Sequence, residues 1–429
     1  MKSKTIQEFK ETEIGKIPKD WVIKKLESIC DVKSGKRLPK GEQLVNYKTN
    51  HPYIRVKNLE NGTINIDNLL FLDEQTFEKI SKYTITSDDV YISIVGTIGV
   101  VGLVPEEVSG GNLTENCAKF TSFNGTTKEW IHYFLTSSMG QEQIRKLIVG
   151  TTQGKLALFR IRNMYVPLPL LEEQKSISNI LKNLDMKIRI IGNQNKILEQ
   201  IIQTIFKSWF IDFDGITEFE DSELGKIPKG WGVKSFSDIY FITDYTANGS
   251  FASLKENVTY SYTPDYAILV RQVDFNNNWN DDYVYVDKHS YDFLKKSSLI
   301  SGDVMISNIG NVGIVFRVPD LGQPMTGAPN VLVVKTEEFN REFAYSYLFS
   351  EVGQNMIKSI TSGSAQPKFN KTDFRNHLFV YPNRKSLDKF HEKVSPITQL
   401  ITKNEKLIKL LQDSKYSLLP KLMSGEIRV

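Results

Sequence analysis

The amino-acid sequence predicts an α+β protein in which two mixed α/β units alternate with two long helices. Two observations predict this class. Apolar residues recur at alternating steps of four and three over residues 171–210 and 384–424, which is the heptad pattern of one helix packing along another. In addition, short motifs return at a nearly constant offset through the whole chain, so the order of unit and helix occurs twice.

The first heptad stretch, residues 171–210, contains no proline, and Asn195 occupies one slot of its apolar series. At about 1.5 Å per residue such a helix would extend roughly 60 Å. A helix of that length needs a partner along its side. The apolar positions are Ile177, Leu181, Leu184, Ile188, Ile191, Leu198, Ile202, Ile205 and Trp209.

The second heptad stretch, residues 384–424, supplies that partner, and Asn404 occupies one slot of its series. Proline inside a helix kinks or breaks it but is favourable at the first helical position. We therefore expect this helix to be kinked at Pro396, or to start there with Ser395 as its cap after a shorter helix. The alternative is that both stretches are ordinary amphipathic core helices. The apolar positions are Leu387, Phe390, Val394, Ile397, Ile401, Ile408, Leu411 and Leu418.

The repeat consists of matched motifs separated by unmatched loops. Residues 31–50 and 243–262, for example, have little in common. A shared scaffold with different loops implies two related sites that recognise different things. The matched pairs are 14–21 with 224–231, 91–99 with 305–313, 150–155 with 363–368, and 162–163 with 375–376.

Each unit mixes short strands and helices without regular alternation, which excludes a doubly wound fold. We expect the strands to close into a small barrel-like sheet. Residues 89–104 and 303–318 predict glycine-rich hairpins, and residues 127–147 and 339–360 each predict one amphipathic helix. Asp73 is predicted to cap a short helix.

Composition and motifs predict a binding protein. The 429 residues are 40% hydrophobic with a net charge of +4, and no apolar run reaches the roughly 18 residues of a membrane span. We expect a cytoplasmic chain with no membrane partner, whose two cysteines, Cys30 and Cys117, are buried thiols. The sequence has no dinucleotide or phosphate-binding glycine loop, metalloprotease motif, Cys-x-x-Cys pair, nucleophile elbow or adenine methyltransferase loop. We therefore predict no catalytic residue, no cofactor and no metal.

Candidate binding residues are the cations of a Gly/Pro loop, two arginines in strand-like segments and the repeated polar loops. Lys and Arg can neutralise phosphates, and Gln can pair with adenine. The alternatives are solvated charges, structural ion pairs of the strand arginines, and turns that cap helices. Aromatic residues of the second unit, namely Tyr240, Tyr245, Phe251, Tyr260 and Tyr262, could face a groove or lie in the core. The candidates are Lys36, Arg37, Lys40, Arg55, Thr151, Thr152, Gln153, Lys155, Arg271, Ser364, Gln366 and Lys368.

Over its full length the chain resembles the specificity subunit of a type I restriction–modification system. The resemblance lies in four features. The openings 14–21 and 224–231 read Ile/Leu-Gly-Lys-Ile-Pro-Lys-x-Trp, residues 166–174 read Val-Pro-Leu-Pro-Leu-Leu-Glu-Glu-Gln, residues 206–214 read Phe-Lys-Ser-Trp-Phe-Ile-Asp-Phe-Asp, and the chain ends in Leu-Leu-Pro-Lys-Leu-Met-Ser-Gly-Glu-Ile-Arg-Val. The segment before the second helix lacks the Glu-Glu-Gln of the first.

The resemblance implies that residues 1–170 and 215–383 are target recognition domains, each reading half of a bipartite sequence in double-stranded DNA. Residues 171–214 and 384–429 would form an antiparallel coiled coil that sets the gap between the halves. Two methyltransferase subunits would supply methylation with S-adenosylmethionine, and restriction subunits would supply ATP-driven cleavage. The alternatives are a non-catalytic coiled-coil adaptor joining two protein-binding domains, and a nuclease or methyltransferase in its own right.

Overall fold

The computed structural model describes residues 8–60, 62–150, 154–279 and 282–429. The chain divides into two compact units: residues 1–189 with 410–429, and residues 190–409. Each unit therefore contains a globular part together with a portion of both long helices. Among the described residues, no helix is long and apolar enough to cross a membrane.

The strands of the first unit are β1 (Phe9–Lys10), β2 (Ile17–Pro18), β3 (Val22–Lys25), β4 (Asp31–Ser34), β5 (Pro52–Ile54), β6 (Leu59–Glu60), β7 (Thr63–Ile64), β8 (Leu70–Phe71), β9 (Val90–Ser93), β10 (Val101–Leu103), β11 (Asn112–Leu113), β12 (Cys117–Thr121) and β13 (Tyr165–Leu168). Its helices are α1 (Glu74–Ile80), α2 (Lys128–Thr136), α3 (Ser138–Leu147), α4 (Leu158–Arg162) and the first part of α5 (Leu171–Phe210). Short 3₁₀ helices lie at Leu26–Ser28, Val56–Asn58, Ser81–Tyr83 and Glu106–Val108.

The strands of the second unit are β14 (Phe219–Ser222), β15 (Gly225–Pro228), β16 (Gly232–Ser235), β17 (Phe241–Asp244), β18 (Tyr260–Ser261), β19 (Ala267–Val270), β20 (Val284–Val286), β21 (Ser298–Leu299), β22 (Val304–Ser307), β23 (Val315–Arg317), β24 (Met325–Gly327), β25 (Val331–Lys335) and β26 (Leu378–Tyr381). Its helices are α6 (Phe236–Ile239), α7 (Phe251–Asn257), α8 (Gln272–Asn276), α9 (Lys288–Phe293), α10 (Glu338–Phe349), α11 (Glu351–Ile360), α12 (Lys371–Asn376) and most of α13 (Arg384–Met423). Its 3₁₀ helices lie at Tyr245–Asn248 and Lys295–Ser297.

The two units share one sheet plan. An antiparallel four-stranded sheet has the order β10-β9-β12-β4 in the first unit and β23-β22-β25-β17 in the second. The other main sheet has the order β11-β5-β8 in the first unit and β18-β20-β19-β24-β21 in the second. It contains one parallel pair in each unit, β11 with β5 and β24 with β19. The predicted hairpins are confirmed as β9–β10 and β22–β23.

The expected barrel-like closure is wrong, because the described strands form separate open sheets. The chain changes sheets directly after β4. There the Gly35 N–H donates to the Cys117 carbonyl at 3.0 Å, and the Lys36 N–H donates to the Leu113 carbonyl at 2.8 Å. Gly35 thus still bonds to β12 of the first sheet, whereas Lys36 already bonds to β11 of the second.

The amphipathic stretch 127–147 forms two helices rather than the expected one, and so does 339–360. The break falls at Ser137 and again at Ser350, whose side chains accept hydrogen bonds from the N–H groups of Gly140 and Gly353. A Cβ on Gly140 would lie 2.2 Å from the Phe134 carbonyl oxygen. Serine capping and a close backbone approach that only glycine permits therefore separate the helices.

The helix α5 pairs with α13 in antiparallel fashion within each unit. In the first unit Lys415 Nζ lies 2.5 Å from Asp185 Oδ1 and Arg428 Nη2 lies 2.7 Å from Glu173 Oε2. In the second unit Asn404 Nδ2 lies 2.7 Å from Asn195 Oδ1. The ring centroids of Phe206 and Phe390 are 6.1 Å apart. As the residue numbers in α5 rise, the numbers of their partners in α13 fall, so the two helices run antiparallel.

The helix α13 is continuous through Pro396, so the expected alternative of a separate, shorter helix before it is wrong. Proline removes one backbone hydrogen bond. Leu387, Phe390 and Val394, which lie in the turns before Pro396, are fully buried in the core of the second unit. Packing on that core therefore holds the helical segment that the proline interrupts.

Two smaller predictions are confirmed. Asp73 caps α1, because its carboxylate accepts from the Thr76 N–H at 2.8 Å. Cys30 and Cys117 are free and buried, and burial raises the pKa of each thiol to about 12. Neither thiol is a reactive nucleophile at neutral pH.

Candidate nucleic-acid interface

The loop of Lys36, Arg37 and Lys40 follows β4, and its first residues are rigidly held. A Cβ on Gly35 would lie 2.1 Å from a backbone oxygen of the β11 segment, so only glycine fits there. The Tyr53 hydroxyl donates to the Lys36 carbonyl at 2.8 Å. The three cationic side chains are nevertheless exposed, which leaves them available to a ligand.

Two of these cations have partners within the unit. The Arg37 Nε donates to Glu115 Oε1 at 2.6 Å, although the Arg37 side chain remains 79% exposed. Burial raises the pKa of Glu115, but hydrogen bonds from Arg37 and Thr114 outweigh it and leave that pKa below its usual value. The Lys36 ammonium lies 5.5 Å from the Tyr83 ring centroid. An exposed pair of this kind contributes little to stability, so Arg37 can exchange Glu115 for a phosphate.

A cationic cleft of about 280 Å³ lies beside this loop, and its residues were not predicted from the sequence. Four of its lining residues are cations: Lys33, Lys82, Lys119 and Arg162. These residues come from four separate segments of the sequence. Only Arg162 is marked in the sequence, because it belongs to a motif that recurs in the second unit. The full lining is Val32, Lys33, Ser34, Lys82, Tyr83, Thr84, Leu113, Lys119, Leu158 and Arg162.

The cations of the cleft differ in how tightly they are held. Lys119 pairs with the buried Asp89 at 2.7 Å, and Arg162 donates to the Val32 carbonyl at 2.9 Å. Among the described residues, Lys82 forms no ion pair and is exposed. Lys82 is therefore the cation of this cleft that is best placed to meet an anion.

The equivalent surface of the second unit carries an ion pair. Arg375 donates to the Ile242 carbonyl, as Arg162 does in the first unit. However, Lys371 Nζ lies 2.8 Å from Asp244 Oδ1, at the strand position that Ser34 occupies in the first unit. The repeated arginine is thus part of the scaffold, whereas the surface next to it differs between the units.

Arg55 and Arg271 occupy equivalent places, at the end of a strand and before a short helix. Arg271 donates through Nε and Nη2 to the buried Asp274, with a shortest distance of 2.6 Å, and to the Asp282 carbonyl at 2.8 Å. Arg55 donates weakly to the Asn68 carbonyl at 3.4 Å, and burial lowers the pKa of its guanidinium. The geometry favours a structural role for Arg271, while Arg55 keeps more donors free.

Backbone hydrogen bonds hold the lysine that ends each repeated polar loop. Thr151, Thr152 and Gln153 lie outside the described residues. Lys155 exchanges two backbone hydrogen bonds with Val149, at 2.9 and 3.1 Å, and Lys368 exchanges two with Ser362, both at 2.9 Å. The side chains of Lys155, Ser364, Gln366 and Lys368 are exposed. The paired backbone therefore presents these side chains outward.

The aromatic candidates of the second unit divide into two groups. Tyr240 and Tyr245 are buried, at 6% and 7% exposure. Phe251 and Tyr262 are each 83% exposed, and Tyr260 is 43% exposed. The exposed ones lie between β17 and β19, where the two units differ most, so they are available to a partner rather than to the core.

Each of the two compact units combines an α/β part with portions of both long helices, and the exposed loops differ between the units, as in a duplicated recognition scaffold. Comparison with known proteins agrees. The family model described as the type I restriction modification DNA specificity domain matches residues 18–200. The chain is thus similar to the specificity subunits of type I restriction–modification systems.

Its relatives match over nearly the whole chain. The type I restriction enzyme MjaIX specificity subunit of Methanocaldococcus jannaschii is 27% identical, over 98% of this chain and 97% of the relative. The HindI specificity subunit of Haemophilus influenzae is 24% identical, over 70% of this chain and 77% of the relative. The crystal structure of the M. genitalium S subunit has a TM-score of 0.54 at 15% identity and covers 94% of this chain and 96% of that one. This last likeness supports the fold alone.

Proposed function

We propose that this chain selects the DNA target of a type I restriction–modification complex by reading a bipartite sequence. Residues 1–170 and 215–383 each recognise one half-site as target recognition domains. Residues 171–214 and 384–429 form the coiled-coil spacer that sets the gap between the half-sites.

The observation that carries this proposal is the contrast between equal scaffolds and unequal loops. The same four-stranded sheet order occurs in both units, yet one unit has a cationic cleft where the other has the Lys371–Asp244 ion pair. A duplicated protein that bound one ligand twice would need no such difference. Two unlike half-sites on a common polymer account for both the shared and the divergent parts.

Within this proposal, exposed cations contact phosphates and variable polar or aromatic side chains read base edges. Lys36, Arg37 and Lys40 lie on one loop, and the unassigned Lys82 lies in the cleft beside it. The remaining candidates keep their proposed role as DNA contacts. They are Arg55, Thr151, Thr152, Gln153, Lys155, Arg271, Ser364, Gln366 and Lys368, of which Arg271 is already paired with an acid.

The chain itself performs no chemistry in this proposal and binds no cofactor. Two methyltransferase subunits dock on it and methylate adenine with S-adenosylmethionine, and restriction subunits dock to cleave unmodified DNA. The small net charge of +4 suits a subunit that shares phosphate contacts with its partners, since affinity grows with the number of neutralised phosphates.

Long-read mapping of N6-methyladenine tests the proposal. The chain is expressed with its methyltransferase subunit in a host without adenine methylation. We expect one split motif with a fixed gap. Exchange of residues 1–170 for those of another specificity subunit should change one half of the motif, and exchange of 215–383 the other half. Methylation of an undivided motif would contradict the proposal.

The spacer has its own test, the removal of one heptad from each long helix. Seven helical residues span about 10 Å, which corresponds to about three base pairs of DNA at 3.4 Å each. The expected result is the same two half-sites with a gap shorter by about three base pairs. An unchanged gap would refute the role of the helices in spacing.

A further inference from the structure

The two hairpin loops at residues 94–99 and 308–313, called the glycine loops below, are built by the same hydrogen bonds. In the first unit the Ser93 hydroxyl donates to the Thr97 carbonyl at 2.5 Å, and the Val100 N–H donates to the Ser93 oxygen at 2.9 Å. In the second unit Ser307 makes the same pair of bonds, at 2.5 and 2.9 Å, with the Asn311 carbonyl and the Ile314 N–H. One serine therefore braces each loop from inside.

A glutamine braces each glycine loop from the neighbouring helix. The Gln141 amide donates to the Gly99 carbonyl at 3.0 Å and to the Leu135 carbonyl at 2.8 Å. Gln354 donates to the carbonyls of Gly313 and Leu348 at the same two distances. These side chains fix the base of the loop to the break between two helices, so the loop is preorganised before any ligand arrives.

Each glycine loop also lies against the polar loop that carries the repeated lysine. Val95 pairs with Lys155 and Ile309 pairs with Lys368 in isolated β-bridges. The Gly310 N–H further donates to the Pro367 carbonyl at 2.9 Å. The two loops therefore form one surface in each unit, with an exposed lysine beside the tip of the glycine loop.

The tips themselves are open. Gly96 and Gly310 have φ values of +81° and +82°, and a Cβ built on either would meet nothing within 4 Å. Gly96 and Thr97 are exposed, as are Gly310 and Asn311. Among the described residues, no acceptor is bonded to the backbone N–H of Thr97 or Asn311. Outward N–H groups in a turn with positive φ form a typical anion-binding arrangement.

We propose that each glycine loop binds one phosphate of the DNA backbone through the backbone N–H of Thr97 or Asn311, with Lys155 or Lys368 supplying the charge. This inference depends on the proposed function. Because the glycine loop has the same structure in both units, its ligand must be common to both half-sites. The sugar–phosphate backbone is the part that two different half-sites share. The tips carry no acidic side chain, and a neutral tip accepts a phosphate without repulsion.

The test places a negative charge on each tip, as Thr97→Glu and Asn311→Glu, in the complex with the methyltransferase subunit. The control variants, Ser28→Glu and Ser237→Glu, add the same charge at exposed positions of the same units, away from the glycine loops. Fluorescence anisotropy at 50 to 200 mM KCl measures the affinity for a cognate duplex and for a scrambled one. Methylation mapping identifies the motif that each variant reads.

We expect each tip variant to bind both duplexes at least about tenfold more weakly, with a salt slope lower by about one per loop. The methylated motif should not change, and the control variants should bind like the original chain. Unchanged affinity with an unchanged melting temperature would overturn the proposal. A loss confined to the cognate duplex, together with an altered motif, would also overturn it, because the tips would then read bases. If the original complex prefers no bipartite sequence, the proposed function fails instead.

Discussion

Replacing Arg317 with methionine should destabilise the second unit strongly. The Arg317 Nη1 lies 2.9 Å from Glu199 Oε1 of α5, and its Cζ lies 3.5 Å from the Tyr345 ring centroid in α10. Neighbouring protein atoms desolvate the carboxyl of Glu405 of α13 and raise its pKa, although the residue as a whole is exposed, and the charge of Arg317 opposes that rise. One guanidinium thus ties the strand β23 to α5 and to α10.

The magnitude follows from how little water reaches this pair. The side chains of Arg317 and Glu199 are 17% and 23% exposed. Breaking a fully buried pair costs about 3–5 kcal/mol because it leaves an uncompensated charge, and the contact with Tyr345 adds about 1 kcal/mol. After a discount for partial exposure, we expect the Met variant to lose about 3 kcal/mol of unfolding free energy at pH 7.5.

The loss should depend on pH. Without Arg317, the pKa of Glu405 in the folded unit lies still further above its unfolded value. A carboxyl group whose folded pKa is raised binds protons more tightly in the folded state, so it lowers stability as pH increases. The difference between the original chain and the Met variant should therefore shrink between pH 7.5 and pH 5.

Hydrogen exchange measured by mass spectrometry is a suitable assay, because it reports on the two units separately. Peptides from the first unit serve as an internal reference. In the control variant, Arg317→Met with Glu199→Gln, the carboxylate that pairs with Arg317 is removed as well, so part of the stability should return. A loss below about 1 kcal/mol, or a loss equal at both pH values, would refute the reasoning about a mostly buried pair.

Three further outcomes follow from the described contacts. Arg428→Ala should cost the first unit about 2 kcal/mol in thermal unfolding, because it leaves the buried Glu173 carboxylate without its cation; an unchanged melting temperature would contradict this. Replacing Asn195 and Asn404 together with leucine should raise the melting temperature but allow more than one gap length in the methylated motif, since a partly buried Asn pair between helices selects register at a cost in stability. A single gap would show that domain packing alone fixes the register. Phe251→Ala should leave the melting temperature unchanged, because the ring is 83% exposed, and should weaken binding to the cognate duplex.

The long helices could be predicted from the sequence because their signal is repeated over many turns. The heptad series over residues 171–210 coincides with α5, Leu171–Phe210, since each apolar position reports the same packed face. The break at Ser137 was missed because serine and glycine are tolerated inside helices. Its signal is three-dimensional, namely the close approach of Gly140 to the Phe134 carbonyl.

The candidate interface could be predicted only where its residues are neighbours in sequence. Lys36, Arg37 and Lys40 drew attention as three cations in a short loop. Lys82 and Lys119 line the adjacent cleft but stand alone in the sequence, so only the sheet pairing brings them together. Arg271 looked equivalent to Arg55, yet the two differ because an aspartate follows the former at position 274 and an asparagine follows the latter at position 58.

The internal repeat also limits where sequence specificity can reside. Both units share the serine and glutamine braces. Both also share an arginine that donates to the edge strand of the four-stranded sheet, β4 in the first unit and β17 in the second. A contact shared by both units cannot distinguish two different half-sites. If the proposed function holds, base readout therefore comes from segments without a counterpart, chiefly residues 36–51 and 245–266. An exchange of these segments alone, on an unchanged scaffold, should transfer a half-site from one specificity subunit to another.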